Sequence, residues 1–297
     1  MPAVSLAAVP GRRRATLELA QEIERRGFAG IYCPSFGDGM GLCEAIALST
    51  ERIPFGTSIA NIYLRNAADY AQSASLIHEL SGGRFRFGVG VSHEPMLKRS
   101  GIEPGPPLRD ARQFVETVQK IPRVGELPPI VLAALRQRMV ALAGEIGAGV
   151  VFANAARSHM PASLAHLPAG RAADEAFFVG NMIPTCISDD VEAAKAINRR
   201  TLTGYVTMPN YRRYWKEAGY VEEMEAVEKA LEAGERDRLT EVMSDRWLAD
   251  TTLFGTVSQV RDGLDAWYAS GVKTPILVPS SAAGNQMKAF EELFELF

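Results

Sequence analysis

The stretch PIVLAALRQRMVALAGEIGAGVVFANA, residues 129–155, places a helical segment between two short apolar runs. The run 129–134 is apolar throughout and the run 149–154 is apolar up to Asn154, which is typical of strands buried on both faces. The segment 136–144 between them is composed mainly of good helix formers. Two buried strands joined by a helix predict one parallel strand–helix–strand unit.

The same alternation extends in both directions from this unit. Further strands are predicted at 4–9, 29–33, 53–60, 86–91, within 176–187 and at 274–280, and helices at about 16–26, 42–50, 66–80, 108–121, 189–202, 220–233 and from 285 onward. Eight strands, nearly all separated by helices, predict an α/β fold: a single (β/α)8 TIM barrel over residues 1–297. An open doubly wound sheet is the structural alternative.

The segment 203–256 is too long for one unit of this pattern and is rich in tyrosine and tryptophan. It predicts a mostly helical excursion between strands seven and eight. Long excursions in barrels often line the active site. The alternative is a helical pack or a dimer contact.

Composition excludes several classes of protein. The chain has 32 Lys and Arg against 35 Asp and Glu, for a net charge of −3, so no basic excess exists to bind nucleic acid. No apolar run approaches the roughly 20 residues that span a membrane, and the N-terminus does not resemble a signal peptide. Three cysteines without a CxxC spacing fit a reducing, cytoplasmic location.

Candidate catalytic residues follow the strands, because barrels carry their chemistry where strands end. His93 and Glu94 follow strand four, and histidine is the side chain best suited to exchange protons near neutral pH. Ser35 follows strand two in a glycine-rich loop, and Ser58 and Asn61 at the end of strand three could hydrogen-bond a heterocycle. For His93 the alternative is a loop histidine bonded to backbone.

Two arginines, Arg136 and Arg138, lie where strand five turns into a helix. Cations are unfavourable at the positive end of a helix dipole unless an anion is bound there, so the pair indicates a phosphate site. The alternative is a pair of solvated surface arginines.

Other chemistries lack their motifs. The four histidines have no metal-ligand spacing, and no GxSxG or GxxxxGK[ST] sequence is present. The two glycines of GVGVSHEP, 88–95, are not followed by the third glycine of a dinucleotide-binding fingerprint.

Three stretches together resemble the bacterial luciferase-like monooxygenases and their deazaflavin-dependent relatives. They are AQEIERRGFAGIYCPSF at 20–36, the run from 57 to LSGGRFRFGVGVS at 80–92, and the stretch 129–155, whose LAGE-x-x-x-GV pattern is the most specific. The segment 183–220 resembles the subset of that family that depends on coenzyme F420.

The resemblance implies a homodimeric barrel with a cofactor across the C-terminal mouth. It implies a non-proline cis peptide at Ser58–Ile59, whose bulge lies behind the central ring of the cofactor. It also implies contacts from the strand-four loop and a phosphate cradle after strand five. With the residues inferred above, the predicted cofactor-binding set is Ser58, Ile59, Asn61, Gly90, Val91, Ser92, Ala134, Leu135, Arg136 and Arg138.

The sequence departs from the sugar-phosphate dehydrogenases of this family. Their histidine after strand two and glutamate after strand four are matched here by Ser35 and His93. A sugar-phosphate substrate is therefore not carried over, and the catalytic candidates are His93, Glu94 and Ser35.

The leading hypothesis is a coenzyme F420-dependent oxidoreductase that transfers hydride to or from a small organic molecule, with His93 exchanging the proton. One alternative is an FMN-dependent monooxygenase on the same fold. The other is a non-catalytic barrel that binds a cofactor or partner as a sensor or storage protein.

Overall fold

The computed structural model describes all 297 residues. Its strands are β1 (Ala3–Ser5), β2 (Ile31–Cys33), β3 (Phe55–Asn61), β4 (Phe85–Gly90), β5 (Ile130–Ala133), β6 (Gly149–Ala153), β7 (Phe178–Ile187), β8 (Leu253–Gly255) and β9 (Thr274–Ser280). Its helices are α1 (Arg13–Arg25), α2 (Gly39–Ser49), α3 (Ala67–Leu80), α4 (Glu94–Arg99), α5 (Pro107–Lys120), α6 (Gln137–Ile146), α7 (Met160–Leu164), α8 (Val191–Val206), α9 (Pro209–Glu217), α10 (Val221–Glu232), α11 (Asp245–Thr251), α12 (Val257–Ala269) and α13 (Gln286–Phe294).

Strand pairing confirms the predicted barrel. The strand order is β6-β5-β4-β3-β2-β1-β9-β7-β8, and an additional β6–β7 pairing closes eight of these strands into a ring. The eight predicted strands are the members of that ring. The ninth, β8, was not predicted; it pairs in parallel with the end of β7, where Thr185 lies opposite Leu253.

The chain divides into two compact units. The first comprises Met1–Phe152 and Ala165–Gly180. Its core contains the fully buried rings of Phe55, Phe85 and Phe87. Two of these are on β4, where side chains two residues apart point to the same face of the strand. All the candidate site residues named above belong to this unit.

Arg84, in the LSGGRF turn, anchors the first unit at the amino ends of its strands. Its guanidinium donates hydrogen bonds to backbone oxygens of Ala47, Thr50, Ile53 and Ser81, all within 3.0 Å. A buried cation needs such partners, and here they connect the ends of α2 and α3 with the start of β3.

The second unit comprises Ala153–Leu164 and Asn181–Phe297. It contains the predicted excursion, which is mostly helical, as expected. Its aromatic side chains form a core in which Trp215 and Trp247 are fully buried with ring centroids 4.9 Å apart. The Trp215 indole donates to the backbone oxygen of Asn154, directly after β6. Within this unit the excursion is therefore a helical pack, as the alternative interpretation held.

Candidate active site

The end of β3 bulges where the resemblance places the cofactor ring. The β3–β4 register shifts between Thr57 and Ala60. Opposite the shift stands Gly88, where a β-carbon would lie 2.1 Å from the Thr57 carbonyl oxygen and 2.4 Å from that of Ser58. Only glycine leaves room for both carbonyl groups. The Thr57 hydroxyl donates to the Gly88 carbonyl oxygen at 2.7 Å and holds the two strands together there.

The predicted cis peptide at Ser58–Ile59 is wrong, since every peptide bond of the structure is trans. The bulge forms instead through one extra residue in β3 relative to β4. A β-bulge re-aims a strand locally with trans geometry throughout.

Ser58 lies at the centre of this bulge with its hydroxyl unpaired. Its side-chain oxygen is buried and has no hydrogen-bond partner, and the residue is only 1% exposed. A buried hydroxyl without a partner costs about 1–3 kcal/mol. Such a group is expected where a ligand supplies the missing partner.

The neighbouring strand ends in small residues and a strained turn. Gly90 ends β4, and a β-carbon on it would lie 2.7 Å from Ile59 Cγ2 and 2.9 Å from Ala133 Cβ. Two residues later Ser92 has φ 58°, a left-handed conformation that is uncommon outside glycine. Residues held in such conformations cluster at functional sites.

His93 follows this turn and precedes α4. The residue is half-buried, and burial lowers its pKa below the ordinary value of 6.5. Desolvation disfavours the charged imidazolium, so the neutral ring predominates at pH 7. A neutral imidazole can accept a proton, which is the property required of a general base.

Glu94 is placed differently. Its side chain is 69% exposed and forms an ion pair with Lys98, with Oε1 2.7 Å from Nζ. The hydrogen bond from Lys98 and the charge of that ammonium group lower the pKa of Glu94. A carboxylate that is ionised at neutral pH does not supply a proton, so this arrangement does not favour Glu94 as the acid.

The turn after β5 presents backbone N–H groups. Ala134 and Leu135 are buried there, and Arg136 is the N-cap residue of α6. No side chain caps the helix, so the N–H groups of its first turn do not receive the usual side-chain acceptor. Arg138 is exposed in that turn, and an anion at this position would meet both backbone donors and a guanidinium.

Ser35 lies in solvent, whereas Asn61 is held by hydrogen bonds within the protein. Ser35 is exposed in the loop after β2. Asn61 ends β3 and serves local structure, because its Oδ1 accepts from Tyr63 N at 3.0 Å and its backbone oxygen accepts from the Tyr70 hydroxyl at 2.8 Å. The Asn61 side chain therefore fixes the turn that carries Tyr63.

A cleft of about 570 Å³ opens beside the ends of β3 and β4. Tyr63, Val91 and Ser92 line one part of it, and α4 together with the loop 101–107 lines the rest. The Tyr63 hydroxyl donates to Asp110 Oδ2 at 2.8 Å, and burial with this hydrogen bond raises the pKa of Tyr63. Sequence reasoning missed Tyr63 and Asp110 because they are far apart in the chain.

A second cavity, of about 680 Å³, lies at the opposite strand ends of the same unit, where Pro129 and Ile130 begin β5. Although it is larger, none of the predicted site residues line it, whereas Val91, Ser92 and Glu94 of that set line the cleft. Barrel enzymes carry their chemistry at the carboxyl ends of the strands, so the cleft is the candidate site.

The structure contains no cluster of three His, Cys, Asp or Glu side chains that could hold a metal ion. None of its helices combines the length and the apolar composition of a membrane-spanning segment.

Comparisons with known proteins match the chain to one family. The family model for luciferase-like monooxygenases matches residues 3–274. The Mycobacterium tuberculosis protein Rv3520c, which carries the name coenzyme F420-dependent oxidoreductase, is 25% identical over 79% of this chain and 81% of its own length.

Two solved structures share the fold over nearly the whole chain. The coenzyme F420-dependent tetrahydromethanopterin reductase of Methanopyrus kandleri superposes with a TM-score of 0.79 at 16% identity, covering 99% of this chain and 97% of that one. An F420-dependent secondary alcohol dehydrogenase superposes with a TM-score of 0.75 at 14% identity, covering 100% and 98%.

Proposed function

Because the chain belongs to the luciferase-like monooxygenase family, we propose that it is a coenzyme F420-dependent oxidoreductase that transfers hydride between the deazaflavin and a small organic substrate. The Mycobacterium tuberculosis relative supports F420 over FMN as the cofactor. The unpaired, buried hydroxyl of Ser58 at the β3 bulge carries the proposal, since a bound cofactor would supply the hydrogen-bond partner that the protein does not.

The residues present fit such a cofactor. Ser58 would pair with a polar atom of the ring, and the small residues at Gly90 and Val91 would let the backbone approach its side chain. Ala134, Leu135, Arg136 and Arg138 would hold the phosphate at the uncapped start of α6. When bound, the deazaflavin supplies the hydride chemistry, and the protein supplies position and electrostatics.

His93 is the residue that we propose to accept the substrate proton. It follows the strained Ser92 turn and is neutral at pH 7, because burial lowers its pKa. We do not extend this role to Glu94, which is ionised and paired with Lys98. Ser35, exposed in the loop after β2, remains a candidate for contact with substrate.

The direct test is binding of purified protein to F420 and to FMN, each followed by fluorescence quenching. We expect saturable binding of F420 that is tighter than binding of FMN. Mass spectrometry of the cofactor retained from a host that makes both provides an independent measurement. Tight FMN binding without F420 binding would support the monooxygenase alternative, and binding without turnover of any donor would support a sensor or storage protein.

Ser58→Ala should change protein stability and F420 affinity in opposite directions. Removing a buried unpaired hydroxyl should raise the free energy of unfolding of the cofactor-free protein by up to about 1 kcal/mol. The same change should weaken F420 binding by about 5- to 15-fold, the equivalent of one hydrogen bond. Ser49→Ala is the matched control, because the Ser49 hydroxyl is also buried and unpaired but lies at the end of α2. Equal F420 affinity in all three proteins would contradict the proposal for Ser58.

We also propose that the chain is a homodimer joined through α2 and α3. These neighbouring helices expose large apolar side chains: Leu48 is 72% exposed, Leu76 50% and Leu80 46%. Leu76 and Leu80 are one turn apart on α3 and share a face. Exposed apolar groups that are clustered in this way indicate a protein interface.

The double substitution Leu76→Glu, Leu80→Glu should convert the dimer to a monomer. Light scattering after gel filtration should report the mass falling from twice 32.3 kDa to 32.3 kDa. Val221→Glu on α10 is the control, since Val221 is also exposed at 44%, and it should leave the mass unchanged. A wild-type mass of 32.3 kDa would exclude this dimer.

The family match supports one functional domain, because residues 3–274 extend across both compact units. Three free cysteines without a disulfide support a reducing compartment such as the cytoplasm. We therefore propose a cytoplasmic protein that works as one barrel domain.

A further inference from the structure

Two of the three cysteines are in contact beneath the loop that follows β2. Cys33 is the last residue of β2 and Cys43 lies in α2, and their Sγ atoms are 3.7 Å apart. Cys33 is 1% exposed and Cys43 is 0% exposed. A disulfide has an S–S length of about 2.05 Å, so a small adjustment of the two side chains would bring the sulfurs within bonding distance.

We propose that Cys33 and Cys43 are a reversible modification site at which a peroxide converts the two thiols to a disulfide. The bond would close a ring through residues 33–43 and so clamp the exposed loop 35–38 against α2. This inference does not depend on which cofactor the protein binds.

The hydrogen bond between the thiols sets the order of the two steps. The Cys43 thiol donates to the Cys33 sulfur, and only Pro34 separates Cys33 from the exposed residues 35–38, so we assign the first step to Cys33. Burial raises the pKa of Cys43 well above its usual value, so Cys43 keeps its proton until the second step.

In the first step the Cys33 thiolate attacks one oxygen of hydrogen peroxide, the O–O bond breaks, and Cys33 becomes a sulfenic acid as water leaves. In the second step the Cys43 sulfur attacks the sulfenic sulfur, and the hydroxyl group leaves as water with the Cys43 proton. The two thiols lose two electrons and two protons, and one peroxide becomes two waters.

The loop gives the oxidant access and also connects the pair to the candidate site. Residues 35–38 are exposed directly above the pair, and local opening of such a loop costs little free energy. Cys33 lies opposite Thr57 in the parallel register, next to the start of the β3 bulge. Asp38 caps α2 and binds Arg65, so the clamped loop also carries that ion pair.

The experiment exposes wild-type protein to hydrogen peroxide, removes the peroxide, and alkylates the remaining thiols in denaturant. We expect the number of free thiols to fall from three to one, with Cys186 retained, and dithiothreitol to restore three. Cys186 is the internal control, since it is also buried and its pKa is raised to about 11, mainly by burial.

Mass spectrometry locates the bond. No Lys or Arg lies between Gly27 and Arg52, so trypsin keeps both cysteines in one peptide, which should lose two hydrogens. Cleavage before Asp38 separates them into two peptides that the disulfide should keep joined. Cys43→Ser should instead give a Cys33 sulfenic acid that dimedone traps.

Hydrogen exchange tests the clamp. In oxidised protein the amides of residues 35–38 should exchange at least 10-fold more slowly than in reduced protein, and Cys43→Ser should abolish this difference. The proposal is overturned if three thiols survive peroxide, if Cys186 reacts as fast as the pair, or if the loop exchanges equally in both forms.

Discussion

His93→Gln should lower kcat by about 10²- to 10⁴-fold, the usual contribution of a general acid–base group. Glutamine preserves much of the shape and polarity of histidine but cannot accept a proton in this range of pH. The rate to measure is the reduction of F420 by the small organic donor that gives the fastest turnover in a screen of such donors. F420 affinity should change little, because His93 is proposed to act on the substrate.

The pH profile distinguishes a base from a structural histidine. Burial lowers the pKa of His93 below 6.5, so the neutral, proton-accepting form should persist above that pH and be lost below it. Wild-type kcat/KM for oxidation of that donor should therefore be flat near pH 7 and fall on the acid side, with a midpoint below 6.5. His93→Gln should lack this fall, and Glu94→Gln should retain it. A wild-type midpoint above 7, or a full rate in His93→Gln, would exclude the role.

The barrel could be predicted because its strands bury both faces, and continuous apolar runs such as 149–154 are hard to mistake for other elements. Elements with weaker signals were missed. β8 has three residues, like β1 and β2, but threonines flank it on both sides and no apolar run extends beyond it. The helix α12 did carry a signal, because Thr256 and Gln259 form a capping box, and the spacing T-x-x-Q is visible in the sequence.

Within the site, residues at strand ends could be predicted and contacts between distant residues could not. Ser58 lies near the end of the predicted strand 53–60 and His93 follows the predicted strand 86–91, so the barrel topology alone predicts both at the mouth. The Tyr63–Asp110 hydrogen bond joins residues 47 positions apart, and no local spacing encodes it. Solvent exposure could not be predicted from the sequence either. Glu94 directly follows His93, yet its side chain is exposed and paired with Lys98.

Gly88→Ala should lower the free energy of unfolding by about 3 kcal/mol, the upper end of the usual cost of overpacking. The added β-carbon would lie 2.1 Å from one backbone oxygen and 2.4 Å from another, and neither can rotate away as a side chain could. Relief requires the β3 bulge to shift, which also moves Ser58. Urea denaturation should show a lower midpoint, and F420 binding should weaken in whatever fraction remains folded.

Two further glycines calibrate this result. Gly90→Ala meets Ile59 Cγ2, which can rotate away, and Ala133 Cβ, which moves only with its backbone, so the loss should be intermediate, at about 2 kcal/mol. Gly204→Ala on α8 meets nothing within 4 Å and should stabilise the protein by about 0.5–1 kcal/mol, the ordinary helix preference for alanine. The free energy of unfolding should therefore be highest in Gly204→Ala, lower in Gly90→Ala and lowest in Gly88→Ala. The added β-carbon touches nothing in the first, side chains in the second and backbone carbonyl oxygens in the third. If Gly88→Ala had the same urea midpoint as the wild type, the carbonyl groups of Thr57 and Ser58 would have to move aside at no cost. That result would contradict a rigid bulge.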